Sequence, residues 1–276
     1  MSGEQHEVLY ESRGPVAIIT LNRPESANAQ SVSLLYALDD AFTRAVDDDD
    51  ISAIILCGAG KHFSSGHDLS GAPERKDHSR RTAWYASDGK EGMERMFARE
   101  QEIYLGLCRR WRELPKPTVA AVQGACIAGG LMLAWVCDFI IASDDAFFSD
   151  PVVDFGIPGV EYFAHPFEMS PRIAREFLML GERMGAQRAY EVGMVNRVTP
   201  REELLKTSLE IAGKLAKKDR FALALTKQAF NFSDDVQGRR IAMEGVFSMH
   251  HLAHAHSQIT TGAMATIKNR PTGKKK

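Results

Sequence analysis

Between residues 16 and 57 the hydrophobic pattern changes period twice. Residues 16–21 (VAIITL) and 51–57 (ISAIILC) are short β-branched runs bounded by turn residues, as buried strands are. Residues 31–46 between them carry Leu34, Leu35, Leu38, Phe42 and Val46 at helical spacing, which predicts an amphipathic helix. A third strand is expected over 118–122, after Pro115 and Pro117, and a fourth over 139–142, after a glycine-containing turn. Strands alternating with helices predict right-handed βαβ units around a mainly parallel sheet, an α/β fold. From about residue 165 the strand signals stop. Residues 201–216, with Leu204, Leu205, Leu209, Ile211, Ala212 and Leu215 in helical period, predict a helical C-terminal third. The expected organisation is therefore a core over 1–200 and a helical region over 201–276. Within the core, the polar, charged stretch 71–95 is expected to form a flap, and PTGKKK at the end a solvated tail.

Composition narrows the partners. With 44% hydrophobic residues in 276, the chain can bury one large core. Thirty-four basic residues against 36 acidic ones leave a net charge of -2, which provides no global field for nucleic acid or an anionic membrane. Cys57, Cys108, Cys126 and Cys137 lie in apolar stretches, without the short pairs of zinc sites or redox dithiols, and are read as reduced. The N-terminus has no apolar signal region and no run has bilayer length, so a cytoplasmic protein is expected. Recognition must come from a local site.

Two turns are candidates for that site, because each follows a predicted strand where ligands bind at the carboxyl edge of a parallel sheet. The first runs Lys61-His62-Phe63-Ser64-Ser65-Gly66-His67-Asp68-Leu69, the second Gly124-Ala125-Cys126-Ile127-Ala128-Gly129-Gly130-Leu131. Small residues let a ligand approach the backbone, and a helix starting at Gly129 would point free N–H groups outward. Together the turns could form an oxyanion hole.

In order and spacing, these turns followed by Cys137-Asp138-Phe139-Ile140-Ile141-Ala142-Ser143 resemble the enoyl-CoA hydratase/isomerase (crotonase) superfamily. The likeness runs from Leu21-Asn22-Arg23-Pro24 and Asn28-Ala29 to Ala186-Gln187-Arg188-Ala189 and Gly193-Met194-Val195-Asn196. The resemblance implies a ββα spiral core with a C-terminal trimerisation region, and a homotrimer or homohexamer. It implies an acyl-CoA substrate, with coenzyme A entering as part of the thioester and no permanently bound cofactor. It also implies that the backbone N–H groups of His67 and Gly129 hold the thioester oxygen, and that Ser65, Gly66, His67, Asp68 and Leu69 contact CoA.

Departures from the family pattern bear on the reaction. Met132 and Val152 stand where a hydratase of this family has its two glutamates, and neither can move a proton. Ala128 replaces the first of three glycines, and Thr266 and Asn269 stand near the family's C-terminal Phe and Lys. Replacement acids are sought in the loop 154–161: Glu161 first, then Asp154, with a pKa raised by burial beneath the flap. The His67 imidazole is a further candidate, and Tyr162 and His165 lie close by. His250, His251, His254 and His256 form a cluster in which His250 and His254, four apart, could ligate a metal. No third ligand stands at a recognised spacing, so no metal is expected. Two readings stay open: an enzyme of enolate-dependent isomerisation, hydrolysis or decarboxylation, and a catalytically inactive acyl-CoA-binding or regulatory protein.

Overall fold

In the computed structural model, which describes residues 6–70 and 78–263, nine strands form two sheets. They are β1 (Val8–Arg13), β2 (Val16–Leu21), β3 (Ala53–Gly58), β4 (Thr118–Val122), β5 (Ala125–Ile127), β6 (Phe139–Ser143), β7 (Phe147–Ser149), β8 (Met184–Gly185) and β9 (Arg197–Thr199). The larger sheet has the order β1-β2-β3-β4-β6-β9 and is parallel except for β1 against β2. The smaller has the order β5-β7-β8. The chain therefore has the expected α/β class and mainly parallel sheet.

The central strands read as unbroken apolar runs because both sheet faces are covered. Ile54, Leu56, Ala120, Val122, Ile140 and Ala142 face the main core under helix Val32–Asp47. Their neighbours Ala53, Ile55, Val119, Ala121 and Ile141 pack on Leu204, Ile211 and Ala212 of helix Leu204–Leu215. The first C-terminal helix thus covers the sheet, and the packed interior runs past residue 200. Helix Val32–Asp47 starts where Ser31 accepts a hydrogen bond from the Leu34 N–H at 3.0 Å, a side-chain N-cap.

Strand signals do not stop at 165: β8 and β9 follow, but at two and three residues they are too short for a period to register. Strand β1 was hidden differently, since four of its six residues are exposed. Of the expected flap, 71–77 lies outside the described residues, as do PTGKKK, Thr266 and Asn269. Residues 78–91 form neither helix nor strand, yet they are tethered: Glu102 accepts from the N–H groups of Arg81 (2.6 Å) and Thr82 (3.1 Å), and His78 stacks on Tyr36. The rest of the expected flap belongs to a continuous helical rod, Gly92–Glu100, a π-helical stretch Gln101–Gly106 and Leu107–Arg112. Helices Arg220–Val236 and Arg239–Thr261 close the described chain. Among the described residues no helix is long and apolar enough to cross a membrane.

Candidate active site

The two turns meet because the first is threaded like a strand between two partners. Ser64 donates its N–H to Ala125 O and accepts from Ile127 N, while Gln30 N donates to Gly66 O and Asp68 N to Gln30 O. That alternation around His67 turns its own N–H away from Gln30. Gly66 has φ +97°, and a Cβ there would lie 2.9 Å from Ile127 O and 3.2 Å from Gly129 N, so only glycine fits. Gly129 is the first residue of helix Gly129–Trp135, so its N–H has no intrahelical acceptor. A Cβ on Gly129 would come within 2.5 Å of His67 Cδ2. The His67 imidazole therefore lies directly on the glycine backbone, and it also stacks on the Tyr104 ring at 3.7 Å.

Beside this junction lies a cavity of about 380 Å³. Ser65, His67, Asp68 and Leu69 line one side of it, with Leu69 largely exposed to solvent. Val152, Phe155, Ile157 and Val160 make an apolar wall, whereas Glu100, Tyr104, Glu161, His250 and His254 make a polar one.

Glu161 is 3% exposed, and its carboxylate sits between two histidines. Oε2 is 3.6 Å from His67 Nε2, and Oε1 is 3.6 Å from His250 Nε2. Burial pushes its carboxyl up to about 7; a charge on His67 works against the rise and the Glu100 carboxylate adds to it. Among the described residues, the groups that bury it lie outside the expected flap 71–95. Of the described residues, none of 78–95 lines the cavity; the helical rod 92–112, through Glu100 and Tyr104, and helix Arg239–Thr261, through His250 and His254, supply the polar wall.

The other candidates lie elsewhere. Asp154, on the turn Pro151–Phe155, is exposed and does not line the cavity. Tyr162 is fully buried against Arg239, and His165 is bonded to Asp150 Oδ2 at 2.8 Å; neither lines the cavity. Met132 is buried inside its helix, while Val152 is part of the apolar wall.

Sequence reasoning missed Glu100 and set His250 and His254 aside as structural. His250 Nδ1 donates to Gly159 O at 2.8 Å, His254 Nε2 is 2.9 Å from His250 Nε2, and Glu100 Oε2 is 3.2 Å from His251 Nε2. The donor atoms of Glu100, His250 and His254 all lie within 4.8 Å of one another. A signal was present: Met243, Phe247, His250 and His254 continue one buried stripe at helical spacing, and imidazoles in an apolar stripe need a polar counterpart across the interface.

Residues 11–272 match the enoyl-CoA hydratase/isomerase family profile. The chain is 40% identical over 259 residues to a putative enoyl-CoA hydratase of Mycobacterium tuberculosis, covering 91% of this chain and 81% of that protein. It is 33% identical over 261 residues to the carnitinyl-CoA dehydratase of Salmonella enteritidis, covering 91% and 92%. The crystal structure of a probable enoyl-CoA hydratase from Mycobacterium smegmatis superposes with a TM-score of 0.86 at 44% identity, over 95% of this chain and 99% of that one. Another, from Mycobacterium thermoresistibile, gives 0.86 at 46% identity over 94% and 99%.

Proposed function

The chain belongs to the enoyl-CoA hydratase/isomerase family, and from that membership we propose that it performs enolate-forming proton transfer on an acyl-CoA thioester, with Glu161 as the base. The family acts on CoA thioesters without a permanently bound cofactor. The observation that carries the proposal is the Glu161 carboxylate, buried in the cavity wall beside His67 and the Gly129 turn.

Removing a proton next to a thioester carbonyl moves the bonding pair onto the carbonyl oxygen. By the family resemblance, the backbone N–H groups of His67 and Gly129 donate to that oxygen, and each such donor contributes about 3 kcal/mol of barrier lowering. The Glu161 carboxylate takes the proton. Returning it to the γ-carbon shifts a double bond, and expelling a β-substituent from the enolate completes an elimination. Ser65, Gly66, His67, Asp68 and Leu69 hold the CoA portion. Hydration by a pair of glutamates is not expected, since Met132 and Val152 occupy their places.

The cavity's polar wall favours an acyl group that carries polar atoms. A plain hydrocarbon chain would offer no hydrogen bond to His67 Nε2 or Glu161 Oε2, neither of which has one among the described residues, at about 1–3 kcal/mol per buried group. One relative is named as a carnitinyl-CoA dehydratase, which fits this reading. We place the protein in the cytoplasm, as a homotrimer or homohexamer.

The test is a panel of acyl-CoA thioesters followed by mass change and by solvent deuterium incorporation. With the active thioester found, Glu161→Gln is expected to lower turnover by at least about 100-fold while leaving CoA-thioester binding intact. Wild-type turnover in Glu161→Gln would reject the assignment.

A further inference from the structure

We propose that Glu100, His250 and His254 form a binding site for a zinc-type divalent ion, and that an ion bound there competes with the acyl group for the cavity. The competition rests on the acyl-CoA reading above; the ion site does not.

The three ligands come from two elements that face each other. His250 and His254 are one turn apart on helix Arg239–Thr261, and Glu100 ends helix Gly92–Glu100. The residues are 3%, 5% and 4% exposed respectively. Zinc bound to imidazole and carboxylate at about 2.0–2.2 Å in tetrahedral geometry needs donor atoms about 3.4 Å apart. Here His250 Nε2 lies 2.9 Å from His254 Nε2, a hydrogen bond that a bound ion would replace, and 3.6 Å from Glu100 Oε2, and all three donor atoms lie within 4.8 Å of one another.

Orientation supports the same conclusion. The Gly159 carbonyl can only accept, so His250 Nδ1 carries the proton and the Nε2 lone pair is directed at Glu100 and His254; an outer carbonyl fixing a ligand imidazole in this way is the usual support of a metal site. Glu100 Oε2 faces His251 Nε2 at 3.2 Å and His250 Nε2 at 3.6 Å, and His251 is itself anchored through Nδ1 to Phe247 O. Burying two imidazoles and a carboxylate costs desolvation that leucines would not, so packing alone does not account for them.

Two nitrogens and one carboxylate suit zinc better than magnesium or calcium, which prefer oxygen alone. All three ligands line the cavity, which leaves a coordination position open on that side. Because the family turns over without a permanent cofactor, the ion is not required for the chemistry. Its effect is to exclude: His250 Nε2 is also 3.6 Å from Glu161 Oε1, so a hydrated ion occupies the space where the acyl group must meet its base.

The experiment is calorimetric titration of the chelator-treated full chain with zinc chloride, in the absence of CoA. One ion per chain is expected. A direct ligand costs at least as much as the outer partners that orient one, so His250→Ala, His254→Ala and Glu100→Gln should each weaken binding by about tenfold or more. His256→Ala, on the exposed side of the same helix, should not. A smaller loss in any of the three variants overturns the site. Should a variant not fold, cobalt(II) on the wild-type chain decides: the intense visible bands of a four-coordinate site support the proposal, and the pale spectrum of a six-coordinate ion overturns it. Competition is read separately. Acyl-CoA that binds the metal-free chain but leaves zinc affinity unchanged overturns the competition, whereas failure of the metal-free chain to bind any acyl-CoA sinks the functional reading and leaves the ion site standing.

Discussion

At Gly129 one hydrogen in place of a methyl group decides whether the His67 ring can lie where it does. The ring cannot retreat, because Tyr104 stacks on it at 3.7 Å. Gly129→Ala is therefore expected to displace His67 and the N–H groups beside it, lowering turnover by about 100-fold or more, with a melting temperature that moves far less. Asp154 supplies the contrast. Exposed and away from the cavity wall, it is expected to leave turnover within about twofold when changed to Asn. Asp68 adds a pH signature. Hydrogen bonds from Ser70, helped by the Arg23 guanidinium at 2.8 Å, hold its carboxyl below the usual value against the opposing effect of burial. A depressed carboxyl stabilises the fold above the ordinary Asp value of about 4, and that stabilisation is lost as pH falls through the folded value. Asp68→Asn should accordingly melt below wild type at pH 7, with the gap closing as pH falls below the ordinary Asp value and through the lower folded one. Glu161 and His67 were legible in the sequence through the family resemblance of the glycine-containing loops that carry them. Glu100 was not, since its partners lie 150 residues away and only the packed helices bring them together.

Elements position these residues, and two of the attachments can be tested. Asp39 on helix Val32–Asp47 is 1% exposed and accepts from Trp111 Nε1 at 3.0 Å and Arg110 Nε at 3.2 Å, tying that helix to Leu107–Arg112. Asp39→Ala leaves the buried indole N–H without an acceptor and should cost about 1–3 kcal/mol in urea unfolding. The π-helical stretch Gln101–Gly106 holds one residue more per turn than an α-helix would. Because the wide turn absorbs that extra residue, deleting Gln101 should restore the ordinary winding and leave residues 92–100 nearly in phase with Leu107–Arg112. Circular dichroism and zinc binding should then both remain near wild type; loss of zinc in the deletion would show that the wide turn itself aims Glu100. Long apolar runs made β2, β3, β4 and β6 legible in the sequence. The short strands of the smaller sheet and the π turn were not, because neither leaves a periodic trace.

On the scale of the molecule, the two last helices leave large apolar side chains bare: Phe230, Phe232 and Val236 on one, Ile241, Leu252 and Ile259 on the other, each at least 69% exposed. A surface of that kind calls for a covering partner, and a second copy in a closed ring is the occupant we expect. Light scattering should give three or six times 30.6 kDa, and a monomeric mass at micromolar concentration would contradict it. Helix Arg239–Thr261 then has two duties, since the face opposite Leu252 carries His250 and His254 into the cavity. The quality of the reaction chamber thus becomes a matter of mass action: as subunits separate on dilution, the wall bearing those histidines loses its outer support, and specific activity should fall with the concentration of the enzyme itself.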